Sequence, residues 1–197
     1  MIKYIRQNMI IWGKVMRIIS GSRRGTVLFS PVTDKTRPTT DRVRENIFNL
    51  IRFDLPGAKV LDLFSGSGAM GLEALSAGAE SCVFVDSERE AVEIINKNLE
   101  KTRFKDSAKV VKTSFDSFIN SSSDTFDIIF LDPPYNKNLI YEAVKLISLK
   151  GLDGDGCLFV LECDKNEDVI LPAGYEIIRE KIYGRVKVSL AKRGEEK

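Results

Sequence analysis

The chain has 197 residues, 43% of them hydrophobic and 29% charged, with a net charge of +2; this is the length of one globular domain, and no global charge announces a polyanion as partner. It contains no histidine, which excludes histidine acid–base catalysis, Ser-His-Asp triads and histidine-ligated metals. Cys82, Cys157 and Cys163 form no C-x-x-C pair and lie in or beside apolar runs, as reduced core residues of a cytoplasmic protein would.

Residues 1–15 carry the apolar patch Met9-Ile10-Ile11-Trp12 but neither the apolar length nor the small-residue cleavage site of a signal peptide. No apolar run approaches the ~18 residues that a membrane span requires. Charge is distributed unevenly: residues 1–52 hold eleven Lys or Arg against three Asp or Glu, a basic arm suited to phosphate on a nearly neutral body. Residues 17–28 read as two short β segments around Gly21 and Gly25, a hairpin bearing arginines. After Arg37-Pro38, the stretch Thr39-Thr40-Asp41 offers N-cap chemistry, and Val43, Ile47, Leu50 and Ile51 follow at helical spacing. Pro56-Gly57 then breaks the chain. The expected organisation is an extension at 1–15, an arm and helix at 16–52, and the main domain at 53–197.

Residues 59–64 form the first core strand, and the glycines at 66, 68 and 71 match G-x-G-x-x-G in the strand-to-helix context that this motif demands, with the helix ending near Gly78. Glycine is required where a Cβ would block a nucleotide's approach to the backbone. The next strand, 82–85, ends in Asp86, about 20 residues on, where a carboxylate can take both hydroxyls of a ribose. Ser87 and Glu90 form an S-x-x-E capping box for the following helix, whose buried face is Val92, Ile95 and Leu99; this leaves Asp86 free for the ribose. Val110-Val111 begins a third strand, and the loop at 113–116 should line the adenine of the ligand through Phe115 or backbone groups, although Phe115 and Phe118 read equally well as core.

Residues 126–131 are a short apolar run of a strand buried on both faces, and the chain stops being a strand at Asp132-Pro133-Pro134-Tyr135. Two prolines fix the backbone and leave its carbonyls free. The result is a carboxylate, a stiff row of acceptors and an aromatic face within four residues. That set suits a flat base with an exocyclic amine: Asp132 and a proline carbonyl accept the amine hydrogens while Tyr135 stacks on the ring. Ile140, Ala143, Val144 and Ile147 make another amphipathic helix, residues 157–161 another strand, and 175–182 with 185–191 a hairpin that closes the sheet antiparallel.

Strand, glycine loop, ribose acid, Asp-Pro-Pro-Tyr and terminal hairpin, in this order, resemble the class I S-adenosylmethionine-dependent methyltransferases. Met16-Arg17-Ile18-Ile19-Ser20-Gly21, Arg24-Gly25 and Arg37-Pro38-Thr39-Thr40-Asp41-Arg42-Val43-Arg44-Glu45 with Phe48-Asn49 resemble the RsmD family, the bacterial 16S rRNA guanine-N2 methyltransferases, from Met16 to about Lys192. Members usually begin at the position of Met16. The resemblance implies an α/β, Rossmann-like fold with a mostly parallel seven-stranded sheet, S-adenosylmethionine as cofactor, and 16S rRNA in an assembling 30S particle as partner of a monomeric, metal-free cytoplasmic enzyme. It implies cofactor contacts at Asp62, Phe64, Ser65, Gly66, Ser67, Gly68, Asp86, Ser87, Ser114 and Phe115, with Asp62 near the amino group. Catalytic contacts fall at Asp132, Pro133, Pro134 and Tyr135. Phosphate contacts are expected at Arg17, Arg23, Arg24, Arg37, Arg42 and Arg44. Three other readings are open: a DNA adenine-N6 methyltransferase, which would use the same motif; a nicotinamide-dependent oxidoreductase; and a non-catalytic RNA-binding module.

Overall fold

A computed structural model describes residues 3–6, 9–12, 16–30, 41–134 and 138–194. Tyr135, Arg37, Thr39 and Thr40 lie outside these, so the expectations placed on them have no structural counterpart. Two short strands near the start, β1 (Lys3–Arg6) and β2 (Met9–Trp12), pair antiparallel with Ile5 opposite Ile10, an element that the sequence reading did not anticipate.

Seven strands make the main sheet: β3 (Lys59–Asp62), β4 (Ser81–Asp86), β5 (Ala108–Lys112), β6 (Phe126–Leu131), β7 (Asp153–Asp164), β8 (Tyr175–Tyr183) and β9 (Val186–Arg193). Their order is β5-β4-β3-β6-β7-β9-β8. The first five are mutually parallel, and β9 and β8 return antiparallel. The chain winds outward from β3 to β5, then crosses to the other side of β3 to lay down β6. Beyond the carboxyl ends of β3 and β6 the order reverses, and such a switch point leaves a crevice for a ligand.

Alternation along the strands feeds two cores. Val60, Phe84, Ile128, Phe130 and Val160 face a layer made by α1 (Asp41–Leu50), α2 (Ala69–Ser76), α3 (Arg89–Thr102) and the arm, through Met16, Ile18, Leu28, Ile47, Leu72 and Ile95. Leu61, Ile129, Leu131 and Phe159 face α4 (Phe115–Ser121) and α5 (Leu139–Lys150) through Phe118, Ile119, Val144 and Ile147. The three cysteines are free and buried. None of the described helices is long and apolar enough to cross a membrane.

The arm is hairpin-like but contains no regular strand: one bridge joins Arg17 and Val27, and a 3₁₀ turn at Gly21–Arg23 forms its tip. Its backbone bonds go partly to itself, as in Leu28 N–H to Met16 O at 2.9 Å, and partly to α2. Glu73 of α2, 1% exposed, accepts the N–H groups of Ile19 and Ser20 and the Ser20 hydroxyl at 2.7–3.1 Å. Gly21 makes this docking possible. Its φ is +74°, and a Cβ there would lie 1.7 Å from the Ser76 carbonyl oxygen. Gly21→Ala is therefore expected to undock the arm tip and cost about 2 kcal/mol or more, read as a lowered unfolding midpoint together with faster amide exchange at Arg23.

Candidate active site

At the carboxyl end of β3 the chain makes the glycine turn. Gly66 and Gly68 have φ of +52° and +76°, a region that favours residues without a Cβ. A Cβ on Gly66 would meet nothing within 4 Å, so the turn faces open space there. One on Gly71 would lie 2.3 Å from the Phe84 ring; this third glycine serves the packing of α2 on β4. The Ser65 hydroxyl donates to the Asp62 carbonyl at 2.6 Å and accepts the Val85 N–H at 2.9 Å, bridging β3 to β4. Its N–H donates to the Val85 carbonyl at 3.0 Å and its carbonyl accepts the Gly68 N–H at 2.7 Å, so Ser65 spends its polar groups on holding the turn.

Asp86 ends β4 beside this turn. Its Oδ2 accepts the Gly66 N–H at 2.8 Å and its Oδ1 the Glu88 N–H at 2.9 Å. The expected capping box is not formed: α3 starts at Arg89, Glu88 occupies the N-cap position, and no side chain caps the helix. Asp86 thus steadies the entry to α3 as well as the glycine turn, and stays half-exposed at the carboxyl end of β4. Ser87 beside it is exposed. Half-buried Phe64, just past β3, and Phe115, opening α4, meet with ring centroids 5.4 Å apart. Phe118, by contrast, is core. Exposed Ser114 pairs its hydroxyl with that of Ser117 at 2.9 Å.

Asp62 is 4% exposed, and its Oδ2 accepts the Gly71 N–H at 3.0 Å. Burial pushes its carboxyl up to about 7, opposed by the Gly71 hydrogen bond and assisted by the charge of Asp86. Asp132 directly follows β6, with Pro133 buried and Pro134 exposed behind it. Burial, then the neighbouring charges of Glu162 and Asp62, hold its carboxyl well above the usual range. Glu162, 5% exposed near the carboxyl end of β7, was given no role from sequence. Asp62, Asp86, Asp132 and Glu162 thus stand at or near the carboxyl ends of the adjacent strands β3, β4, β6 and β7, and no Lys or Arg occurs between Asp62 and Glu88. Such an acidic set favours a cationic ligand over a pyrophosphate. S-Adenosylmethionine, carrying an ammonium and a sulfonium, fits this donor set. Among the described residues no group of three or more Cys, Asp or Glu could hold a metal ion.

Of the arginines, Arg24 and Arg42 are exposed. Arg17 is largely exposed and lies 3.6 Å from Asp41. Arg23 donates from Nε to the Thr102 carbonyl at 2.8 Å and covers the Phe104 ring. Arg44 contradicts its expected role: it is 1% exposed, donates to the Arg17 carbonyl and to Asp41, and lies 3.6 Å from Glu73. A guanidinium spent on joining α1, α2 and the arm cannot reach RNA. Arg44→Met is expected to destabilise the protein by about 3–5 kcal/mol, because Glu73 would be left buried without its counter-charge; denaturant unfolding measures this, and the salt dependence of RNA binding should not change.

This sheet order, with a glycine turn and an acid after the first two core strands and Asp-Pro-Pro after the fourth, defines a class I methyltransferase. The chain belongs to the family described as conserved hypothetical protein 95, which matches residues 16–192 and is the RsmD family. It is 37% identical over 179 residues to ribosomal RNA small subunit methyltransferase D of Escherichia coli, covering 90% of each chain. It is 36% identical over 183 residues to YlbH of Bacillus subtilis, a proposed rRNA methyltransferase, covering 90% of this chain and 99% of that one. The solved structure of yhhF from E. coli, a proposed methyltransferase, superposes with a TM-score of 0.82 at 36% identity, over 93% of this chain and 100% of that one.

Proposed function

We propose that the protein transfers a methyl group from S-adenosylmethionine to the exocyclic N2 amine of a guanine in 16S rRNA, on an assembling 30S particle in the cytoplasm. The observation that carries this reading is the position of Asp132: a half-buried carboxyl at the switch point, directly after β6 and beside the carboxyl ends of β3 and β7, at the start of a rigid proline pair. The names of the relatives support rRNA as the polymer.

When bound, S-adenosylmethionine supplies an electrophilic methyl group that a nucleophile attacks in line. What the chain contributes is placement. Gly66, Ser67 and Gly68 receive the amino-acid portion, with Asp62 on its ammonium. Asp86 takes the ribose hydroxyls, and Phe64 and Phe115 flank the adenine with Ser87 and Ser114 at the rim. Asp132 and the Pro133 carbonyl accept the two amine hydrogens, which draws the nitrogen lone pair out of conjugation and toward the methyl. Tyr135, following Pro134, stacks on the base once it has left its helix. A strong base is unnecessary, since the methylated ammonium is acidic and releases its proton readily. Arg17, Arg24, Arg37 and Arg42 contact phosphates, with Arg23 fixing the arm's tip to α3.

Incubation of the purified protein with labelled S-adenosylmethionine and, separately, 30S particles, naked 16S rRNA and duplex DNA tests the substrate class. Label is expected in the ribosomal RNA, most rapidly in the particle; label confined to DNA would overturn the reading.

A further inference from the structure

Asn98 takes no part in the chemistry above, yet it is 0% exposed and uses every polar atom of its side chain on two other elements. Its Oδ1 accepts the Phe29 N–H at 2.8 Å, while Nδ2 donates to the Phe29 and Ser67 carbonyls, both at 3.0 Å. Phe29 belongs to the returning half of the arm. Ser67 stands in the glycine turn between Gly66 and Gly68, and its hydroxyl donates to the Met16 sulfur, on the outgoing half of the arm, at 3.4 Å. One turn further along α3, the buried Thr102 hydroxyl donates to the Asn98 carbonyl at 2.8 Å and fixes the helix backbone under it. A buried amide left half-paired is costly, so a movement of either the arm or the turn unpairs part of the one amide that also holds the other element.

We propose that Asn98 is a positioning residue for the cofactor site: its one amide locks the glycine turn to the N-terminal arm, so that RNA docking on the arm and occupancy of the cofactor site favour each other. The inference rests on the reading of turn and arm given under Proposed function. A staple with a purely structural role would alter stability alone. An amide shared between the two sites alters affinity, and by linkage it does so in both directions.

In Asn98→Asp the acceptor for the Phe29 N–H is kept and both donors are lost. Calorimetric titration of the full chain with S-adenosylhomocysteine, with and without saturating 16S rRNA, is expected to show wild-type affinity rising several-fold with RNA. The variant should bind about tenfold more weakly, with the RNA effect gone. Thr102→Val removes a buried hydroxyl from the same helix but keeps the backbone carbonyl that accepts Arg23 Nε, and should keep both wild-type affinity and the RNA effect. A second measurement needs no variant: S-adenosylhomocysteine should slow amide exchange at Phe29 along with residues 66–68. Asn98→Asp behaving as Thr102→Val does, or Phe29 exchange indifferent to a ligand that protects 66–68, would overturn the proposal. Failure of the wild-type protein to bind S-adenosylhomocysteine at all would instead remove the cofactor reading and this inference together.

Discussion

Asp132→Ala is expected to lower methyl transfer by about 10³-fold, the size of effect seen when a preorganised polar group facing the reacting centre is removed, while leaving affinity for S-adenosylhomocysteine close to that of the wild type. The amine of a nucleobase is a poor nucleophile because its lone pair is shared with the ring, and in this site Asp132 and one proline carbonyl are the acceptors that oppose that sharing. Asp132→Asn is expected to be nearly as defective. It keeps the shape but turns an NH2 donor toward the amine. Stability should not fall in either variant, since each removes a charge that burial, Glu162 and Asp62 all disfavour. Single-turnover transfer rates measured beside ligand affinity separate the two effects. An alanine variant retaining a tenth or more of wild-type turnover would take Asp132 out of the chemistry.

Asp62→Asn carries the second large expectation, and its effects on stability and on binding run in opposite directions. The Asp62 carboxyl is raised from 3.8 to about 7 in the folded protein, first by burial and then by the charge of Asp86. For a carboxyl whose folded value lies above its unfolded one, the contribution to stability is fully present below about pH 4 and is lost as pH rises through 7. Asparagine has no such loss and can still accept the Gly71 N–H. The ligand-free variant should therefore match the wild type near pH 4 and exceed it at pH 8, by at most roughly 4 kcal/mol for a shift of this size, seen as a melting temperature higher by about 5 °C or more. Affinity for S-adenosylhomocysteine should drop about tenfold, because the ligand's ammonium loses its counter-charge. Equal melting temperatures for the two proteins at pH 8 would show that Asp62 is not strained by its burial.

The parallel sheet and its switch point were legible because β3, β4 and β6 are apolar runs ended by a glycine turn, an acid or a proline pair; residues 126–131 were read with the bounds the strand has. The supports of the site were harder to read. Arg44 precedes Ile47 and Phe48 by three and four residues, which puts it on the buried face of α1, but the positive charge of the arm drew it into the RNA set. Glu73 is the one charge in the apolar helix Ala69–Ser76, a signal that could have marked a buried partner. Asn98 follows Ile94 and Ile95 at helical spacing and was hidden by its polarity. What each of these residues binds is set by the arm, more than fifty positions distant in sequence from Glu73, and local periodicity carries no information about such contacts. The capping box failed for a nearer reason: the Asp86 carboxylate takes the Glu88 N–H, and α3 begins one residue later than an N-cap at Ser87 would place it.

The most direct measurement is nucleoside analysis of 16S rRNA after reaction of wild-type protein with 30S particles and S-adenosylmethionine, alongside the Asp132→Ala protein. N2-Methylguanosine is the expected product with wild type, and almost none is expected with the variant. A methyl group found on adenine, on ribose or on a ring carbon would overturn the assignment of Asp132 to an exocyclic guanine amine.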